Sequence, residues 1–203
     1  MFREVRFEAS AGLRGAAGAY VRACGSSAAP MTDRSGRRGR RLELELGHLL
    51  RREGARVPLA FARANRALCG DLVRRVVGAL PGVLRDVGRG PSHRVYVSLI
   101  AVAPLASAQE VHADAGDKAR GSYTTVIVPL TRHAGQGTTE FLMRDGSFSA
   151  PAPGAAYAFD GRAMHRGGAN LSRAWRVALC VVVCKGADPN RLAGSSLCWS
   201  ARL

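Results

Sequence analysis

The chain has 203 residues and a formal net charge of +15, because 30 Lys and Arg residues stand against only 15 Asp and Glu residues. This length suits one domain that can bury a sizeable core, and a hydrophobic content of 47% excludes a disordered polyelectrolyte. No apolar run reaches the roughly 18–20 residues of a membrane-spanning helix, which excludes an integral membrane protein and argues against a membrane partner. Five irregularly spaced cysteines favour neither a disulfide scaffold nor a structural zinc site.

Cysteine usage and N-terminal composition bear on the compartment. Cysteines without a disulfide framework favour a reducing, intracellular compartment, cytoplasmic or nuclear. The first thirty residues are rich in Arg, Ala, Gly and Ser, which leaves an organelle transit peptide as an alternative. Glu4 and Glu8 weigh against that alternative, because such peptides usually avoid acidic residues.

The N-terminal half carries most of the excess charge. Residues 1–94 have a net charge of +11, whereas residues 95–203 have only +4. We therefore expect residues 1–41 to form a basic, flexible N-terminal segment. Its densest cluster, Arg34–Arg41, is interpreted as a solvated loop, with a nuclear address or a nucleic-acid patch as the alternative.

Residues 42–93 are predicted to form a mainly helical support region. Leu42–Leu46 alternates Leu and Glu as a short strand does, although the residues that follow it also suit a helix. Leu59–Leu80 is a clearer helix, because apolar residues recur there at helical spacing with arginines between them. Pro81 and Gly82 are predicted to end that helix.

From about residue 94 the pattern changes to that of strands. Gly- and Pro-containing turns separate stretches rich in β-branched or aromatic residues, and no helix-length gaps lie between them. This pattern predicts a mainly β sandwich or barrel over residues 94–185, followed by a C-terminal tail at 186–203. The predicted strands are 94–103, 122–130, 138–143, 155–159 and 174–184.

Three side chains form a candidate metal site. His112 and Asp114 are two residues apart, so an extended backbone places both side chains on one face. His165 follows a strand-like stretch further along the chain. Two histidines and one carboxylate make the facial triad of non-haem Fe(II) oxygenases, which leaves coordination positions open. The alternative is a loop histidine at 112 and a hydrogen-bonded strand-end histidine at 165.

Arg176 lies inside the apolar stretch 174–184. A charged residue there costs several kcal/mol unless it is paired, so Arg176 is expected to meet a buried anion. A guanidinium group binds a carboxylate well through two parallel hydrogen bonds. That carboxylate belongs either to a ligand or to the protein itself, with Asp160 and Glu140 as the internal candidates.

Together these residues carry a family resemblance. The pattern His-x-Asp at 112–114, followed by Gly-x4-Phe-Asp-Gly-Arg-x2-His-Arg-Gly-Gly-x-Asn-x-Ser-x3-Arg at 154–176, resembles the Fe(II)- and 2-oxoglutarate-dependent dioxygenases. The prolyl-hydroxylase-like and phytanoyl-CoA-hydroxylase-like groups are the most similar. The resemblance covers roughly residues 95–184. It implies a double-stranded β-helix (jelly roll) core with N-terminal helices packed outside it.

The resemblance also implies roles for individual residues. His112, Asp114 and His165 would bind Fe(II), and Arg176 would bind the distal carboxylate of the cosubstrate 2-oxoglutarate. Tyr123 or Thr125 would add a hydroxyl group to that carboxylate, with a packing tyrosine and a cross-strand threonine as alternatives. O2 would be the second cosubstrate, and the resemblance allows ascorbate as an accessory reductant.

The expected activity is hydroxylation of a C–H bond in a peptide side chain or small metabolite, with release of succinate and CO2. Basic residues near the site, Arg162 and Arg166 among them, would tolerate an anionic substrate, although a solvated rim is the simpler interpretation. Nucleic acid is not favoured as a substrate, because aromatic residues make up only 6% of the chain and no stacking platform is evident. The alternative is a non-catalytic jelly-roll module whose basic N-terminal half binds nucleic acid or an acidic partner.

Overall fold

The computed structural model describes residues 2–27, 41–45, 66–87, 93–115 and 123–185. These residues form a mainly β structure with two helices, in agreement with the predicted class. In chain order the elements are β1 (Phe2–Val5), α1 (Ala11–Ser27), β2 (Arg41–Glu45), α2 (Arg66–Leu84), β3 (His93–Val102), β4 (Tyr123–Pro129), β5 (Thr139–Leu142), β6 (Phe148–Ser149), β7 (Ala156–Asp160), β8 (His165–Gly167) and β9 (Arg176–Lys185).

The strands form two antiparallel sheets. The larger sheet has the order β1-β7-β4-β9-β3-β2, and the smaller one has the order β6-β5-β8. The segment that follows β3 runs beside β8 and is joined to it by an isolated bridge between His112 and His165. The candidate metal ligands therefore lie on the smaller sheet and on the chain segment along its edge.

The two faces of the larger sheet are covered differently. On one face α1 and α2 pack against the strands in an aliphatic core. On the other face, here called the inner face, the strands pack against Phe141 of the smaller sheet in a cluster rich in aromatic residues. Strand β9 alternates between the faces as predicted: Val177, Leu179, Val181 and Val183 contribute to the helix-side core, and Cys180, Val182 and Cys184 to the inner cluster.

The strand predictions agree closely with the structure. Each of the five predicted stretches of the C-terminal half contains a strand, and Leu42–Leu46 overlaps β2 rather than a helix. The N-terminus differs from the expected flexible segment, because β1 pairs with β7 and α1 buries Leu13 and Tyr20 in the helix-side core. Its Ala- and Gly-rich composition permits this close packing. Residues 34–40 of the arginine cluster and the tail at 186–203 lie outside the described residues.

The predicted end of the second helix was wrong. Helix α2 continues through Pro81 and ends at Leu84. Proline removes one backbone N–H and crowds the preceding turn, which is tolerable near a helix end if packing compensates. Val83 and Leu84 supply that packing, because both are fully buried in the core, as is Val87 just beyond the helix. Within the described residues, neither helix is long and apolar enough to cross a membrane.

Candidate metal centre

The two candidate histidine ligands are held opposite each other by the backbone. The N–H of His112 donates to the carbonyl of His165, and the N–H of His165 donates to the carbonyl of His112, both at 2.8 Å. Directly opposed residues of an antiparallel pair have their side chains on the same face. The two imidazole rings accordingly lie with their centroids 4.6 Å apart.

The tautomer of each imidazole follows from its hydrogen bonds. Nδ1 of His112 lies 2.9 Å from the carbonyl oxygen of Glu110, and Nδ1 of His165 lies 2.8 Å from that of Ala163. A carbonyl oxygen only accepts, so each Nδ1 is a donor, and in the neutral ring the lone pair is on Nε2. Both Nε2 atoms face Oδ1 of Asp114, at 3.9 Å from His112 and 3.7 Å from His165.

The Asp114 carboxylate is oriented from β4. Oγ1 of Thr125 donates a 2.8 Å hydrogen bond to Oδ2 of Asp114, while Oδ1 faces the imidazoles. Thr125 is buried on the inner face, so its hydroxyl is held in place by the sheet. The arrangement uses one carboxylate oxygen for positioning and directs the other towards the two Nε2 atoms.

The donor set fits a divalent transition-metal ion. One ligand atom from each of His112, Asp114 and His165 lies within 4.8 Å of the others, and this is the one such group among the described residues. Metal-bound histidines typically donate their second ring nitrogen to a carbonyl or carboxylate, as both imidazoles do here. Two imidazoles and one carboxylate suit Fe(II) and leave further coordination positions open. The structure thus brings together all three residues predicted as ligands.

Aromatic side chains enclose one side of this centre. The ring of His165 packs 4.8 Å from that of Phe159 and 5.9 Å from that of Phe141, and only 7% of its side chain is exposed. Asp114 and His112 are more accessible, with 27% and 39% of their side chains exposed. The group is therefore anchored on an apolar wall and open to solvent on the other side, as a site that admits ligands requires.

Arg176 bridges the two sheets. It opens β9 on the inner face, and its Nη1 donates to the carbonyl oxygens of Gly137 and Gly168, at 2.6 and 2.7 Å. The internal carboxylates considered as its partners are engaged elsewhere, since Asp160 pairs with Arg162 and Glu140 with Arg166. The guanidinium group is thus held beside the end of β8, a few residues from His165.

The two hydroxyl-bearing residues predicted to assist Arg176 lie too far along the sheet. In the β4–β9 ladder Tyr123 is opposite Cys184 and Thr125 is opposite Val182, which are eight and six residues beyond Arg176. At about 3.3 Å per residue these separations are about 26 and 20 Å. Thr125 instead binds Asp114. The register between β4 and β9 sets these separations, and that register cannot be read from a local sequence motif.

A different hydroxyl pair lies near Arg176. The phenol of Tyr157 donates a 2.6 Å hydrogen bond to Oγ1 of Thr139. Burial raises the pKa of Tyr157, although its hydrogen bonds and the positive charge of Arg176 act in the opposite direction, so the phenol stays protonated. This pair was not predicted from the sequence, where its only signal is an alternating Tyr in the stretch 155–159.

The basic residues beside His165 are charge-compensated. Arg162 makes two hydrogen bonds to the Asp160 carboxylate, which hold the pKa of Asp160 below its usual range. Arg166 binds Glu140 at 2.6 Å, and its guanidinium carbon lies 4.0 Å above the ring of Phe148. Their attraction for an anionic substrate is correspondingly smaller than the sequence suggested.

The loop between β8 and β9 is fixed by Asn170. Its fully buried side-chain amide donates to the carbonyls of Val102, Ala103 and Ala174, and its Oδ1 accepts from Ser172. The Asn-x-Ser of the motif therefore ties its own loop, 170–174, to the end of β3 at 102–103. This anchoring sets where β9 begins, and hence where Arg176 stands relative to His165.

Comparison with known proteins bears on the fold. No protein-family model and no curated protein matches the chain. Among solved structures it is similar to the non-haem alpha-ketoglutarate (2-oxoglutarate)-dependent epimerase SnoN from nogalamycin biosynthesis, with 15% identity, a TM-score of 0.56, and coverage of 97% of this chain and 86% of SnoN. This likeness shows a shared fold.

Two further solved structures match less well. AviO1 from Streptomyces viridochromogenes Tue57 is 16% identical, with a TM-score of 0.44 and coverage of 73% of this chain and 68% of AviO1. EvdMO1 is 20% identical, with a TM-score of 0.45 and coverage of 56% of this chain. The chain spans 32% of the length of EvdMO1.

Proposed function

We propose that the chain is an Fe(II)- and 2-oxoglutarate-dependent oxygenase that hydroxylates a C–H bond of a peptide side chain or small metabolite, releasing succinate and CO2. The observation that carries the proposal is the convergence of two Nδ1-protonated imidazoles on one oxygen of a positioned carboxylate. The shared fold with SnoN supports it. As part of the same proposal, the two sheets are the halves of a jelly roll around the inner face.

Each residue of the site has a defined task in this proposal. His112, Asp114 and His165 would hold Fe(II), and a set of three protein ligands leaves coordination positions for the cosubstrate and O2. Arg176 binds the distal carboxylate of 2-oxoglutarate, because a guanidinium group suits a carboxylate in charge and shape. The backbone carbonyl of Gly168 holds this group beside the end of β8. When bound, the iron supplies the redox chemistry that couples 2-oxoglutarate decarboxylation to substrate oxidation.

Stereochemical inversion is the nearest competing reaction, because SnoN is an epimerase. Hydroxylation and inversion both begin with removal of a hydrogen atom from carbon, and the products separate them. A hydroxylated product gains the mass of one oxygen atom, whereas an epimer keeps the mass of the substrate. Product mass measured on any substrate that accelerates succinate formation therefore decides between them.

The metal and cosubstrate are tested by anaerobic titration of the protein with Fe(II) and then 2-oxoglutarate. We expect a visible charge-transfer band that requires both, and slow succinate release once air is admitted. His112→Ala should abolish the band, because it removes one of three protein ligands. His133→Ala is the matched control, since His133 is exposed and lies outside the ligand group. No band in the wild-type protein, or an undiminished band in His112→Ala, would overturn the proposal.

The non-catalytic binding module predicts a different result. It requires nucleic-acid affinity that falls steeply with salt and is unchanged by His165→Ala, together with no succinate release. Such a module does not need three potential metal ligands within 4.8 Å of one another. This is why the oxygenase is the preferred assignment.

A further inference from the structure

Gln109 occupies a position between the metal ligands and Arg176. It lies on the segment that runs beside β8, three residues before His112, and its backbone N–H donates to the carbonyl of Gly167 at 2.9 Å. Gly167 lies two residues after His165 on β8, so both residues face the same side of that strand. The side chain of Gln109 folds over this side.

Gly167 makes room for two polar groups. A Cβ atom at Gly167 would come within 2.5 Å of Oε1 of Gln109 and 3.5 Å of Nη2 of Arg176. The amide of Gln109 and the guanidinium group of Arg176 are therefore at most about 6 Å apart, on the side of β8 that carries the His165 ring. Any side chain larger than hydrogen at position 167 would displace the amide.

The orientation of the Gln109 amide follows from one hydrogen bond. Oε1 accepts from the backbone N–H of Gly167 at 3.0 Å. Because a backbone N–H only donates, the atom facing it is the oxygen, and Nε2 is the donor at the other end of the amide. Among the described residues the structure gives Nε2 no acceptor. The half-buried amide thus has a donor at Nε2, and its Oε1 end lies at most about 6 Å from the guanidinium group, so the two groups can donate to one bound carboxylate.

We propose that Gln109 is a positioning residue that donates a hydrogen bond from Nε2 to the carboxylate bound by Arg176. This inference rests on the proposed function, because the carboxylate is that of 2-oxoglutarate. Gln109 thereby takes the place that the sequence assigned to Tyr123 or Thr125. Gly167 supports it by fixing Oε1 and by leaving space for the amide.

Two substitutions separate this role from a purely structural one. Gln109→Glu keeps an oxygen to accept from Gly167 but replaces the Nε2 donor with a negatively charged acceptor. Gln109→Leu has a similar volume and removes both polar atoms. A structural role predicts that the Leu variant is the more damaged. A positioning role predicts that the Glu variant binds 2-oxoglutarate more weakly than the Leu variant, because its charge repels the carboxylate.

The measurement is the Kd of the anaerobic Fe(II) protein for 2-oxoglutarate and for pyruvate, a 2-oxo acid without the distal carboxylate. We expect the 2-oxoglutarate Kd to rise about tenfold in Gln109→Leu and about a hundredfold in Gln109→Glu, the range for hydrogen bonds to charged groups. The pyruvate Kd, the Fe(II) Kd and the Tm should change little. Ser107→Glu is the control for added charge, because Ser107 is exposed on the same segment.

The outcomes are distinguishable. A 2-oxoglutarate Kd within twofold of wild type in both Gln109 variants would overturn the inference and leave the oxygenase assignment standing. Equal weakening towards 2-oxoglutarate and pyruvate would also overturn it, because the effect would then not involve the distal carboxylate. If the wild-type Fe(II) protein binds no 2-oxoglutarate, the proposed function fails and this inference fails with it.

Discussion

The hydrogen bond from Thr125 to Asp114 allows a sharp test of the metal centre. Oγ1 of Thr125 lies 2.8 Å from Oδ2 of Asp114, and the donor is buried. A hydrogen bond to a charged group contributes about 1.5–3 kcal/mol, and losing the partner of a metal ligand typically weakens metal binding about ten- to hundredfold. Thr125→Val removes the hydroxyl with almost no change in shape. We therefore expect the Kd for Fe(II) to rise by that factor.

Fold stability should respond much less than metal affinity. The Thr125 side chain stands opposite Phe159 and Val182, where a methyl group is well accommodated, and water reaches the partly exposed Asp114. We expect the free energy of unfolding of the metal-free protein to change by less than about 1 kcal/mol. The assay is an anaerobic competition titration with a metal-sensing chelator, beside a thermal melt.

Two companion variants control that experiment. Thr125→Ser keeps the hydroxyl and should bind Fe(II) within about threefold of wild type, because the donor is preserved. Thr124→Val alters the neighbouring residue on the opposite face of β4 and should leave the affinity unchanged. If Thr125→Val binds Fe(II) as tightly as wild type, the carboxylate does not depend on this hydrogen bond and our account of the centre is wrong.

Two further predictions concern stability. Asn170→Ala leaves three backbone carbonyls without their shared donor, and we expect a loss of about 3 kcal/mol or more, seen as a Tm lower by about 6–12 °C. A Tm within about 2 °C of the wild-type value would show that the Asn170 amide does not hold the loop. The Asp160–Arg162 pair predicts an acid-dependent contribution, because its hydrogen bonds lower the pKa of Asp160 in the folded state from the ordinary value of 3.8. Its stabilisation is complete well above pH 3.8 and is lost as the pH falls through the lower folded pKa. The pair is partly exposed, so Asp160→Asn should remove only about 0.5 kcal/mol at neutral pH and less at pH 2, in urea titrations at both pH values. An equal loss at both pH values would contradict the electrostatic origin.

Apart from β1, whose residues were expected to be flexible, the strands that the sequence did not predict are those too short to show a pattern. Strands β3 and β9 have ten residues each, and their apolar runs are unmistakable. Strands β6 and β8 have two and three residues, too few for any periodicity, and exist because β5 lies between them and pairs with both. Similarly, the local chemistry of Pro81 favours the end of a helix. Burial of the residues in the turn that follows outweighs that preference, so the helix continues.

The predictions for the site divide in the same way, into residues that the sequence indicated and partners that it did not. Ligand chemistry identified His112, Asp114 and His165, and the cost of a buried charge identified Arg176. The partners of these residues depend on the tertiary register. Thr125 reaches Asp114 only because β4 passes beneath the ligand segment, and Gln109 meets a glycine 58 residues away. A single sequence contains no local signal for either contact.

The polar side chains of the site are fixed by hydrogen bonds to neighbouring groups. The imidazoles use Nδ1 to bind backbone carbonyls, Asp114 uses Oδ2 to accept from Thr125, and Gln109 uses Oε1 to accept from Gly167. Arg176 follows the same rule through Nη1. Groups fixed in this way lose little entropy when a ligand binds, which is how preorganised sites gain affinity and precision. Substitution of a holding partner should therefore weaken ligand affinity while the fold persists, whereas substitution of Asn170, which holds only backbone and Ser172, should weaken the fold itself.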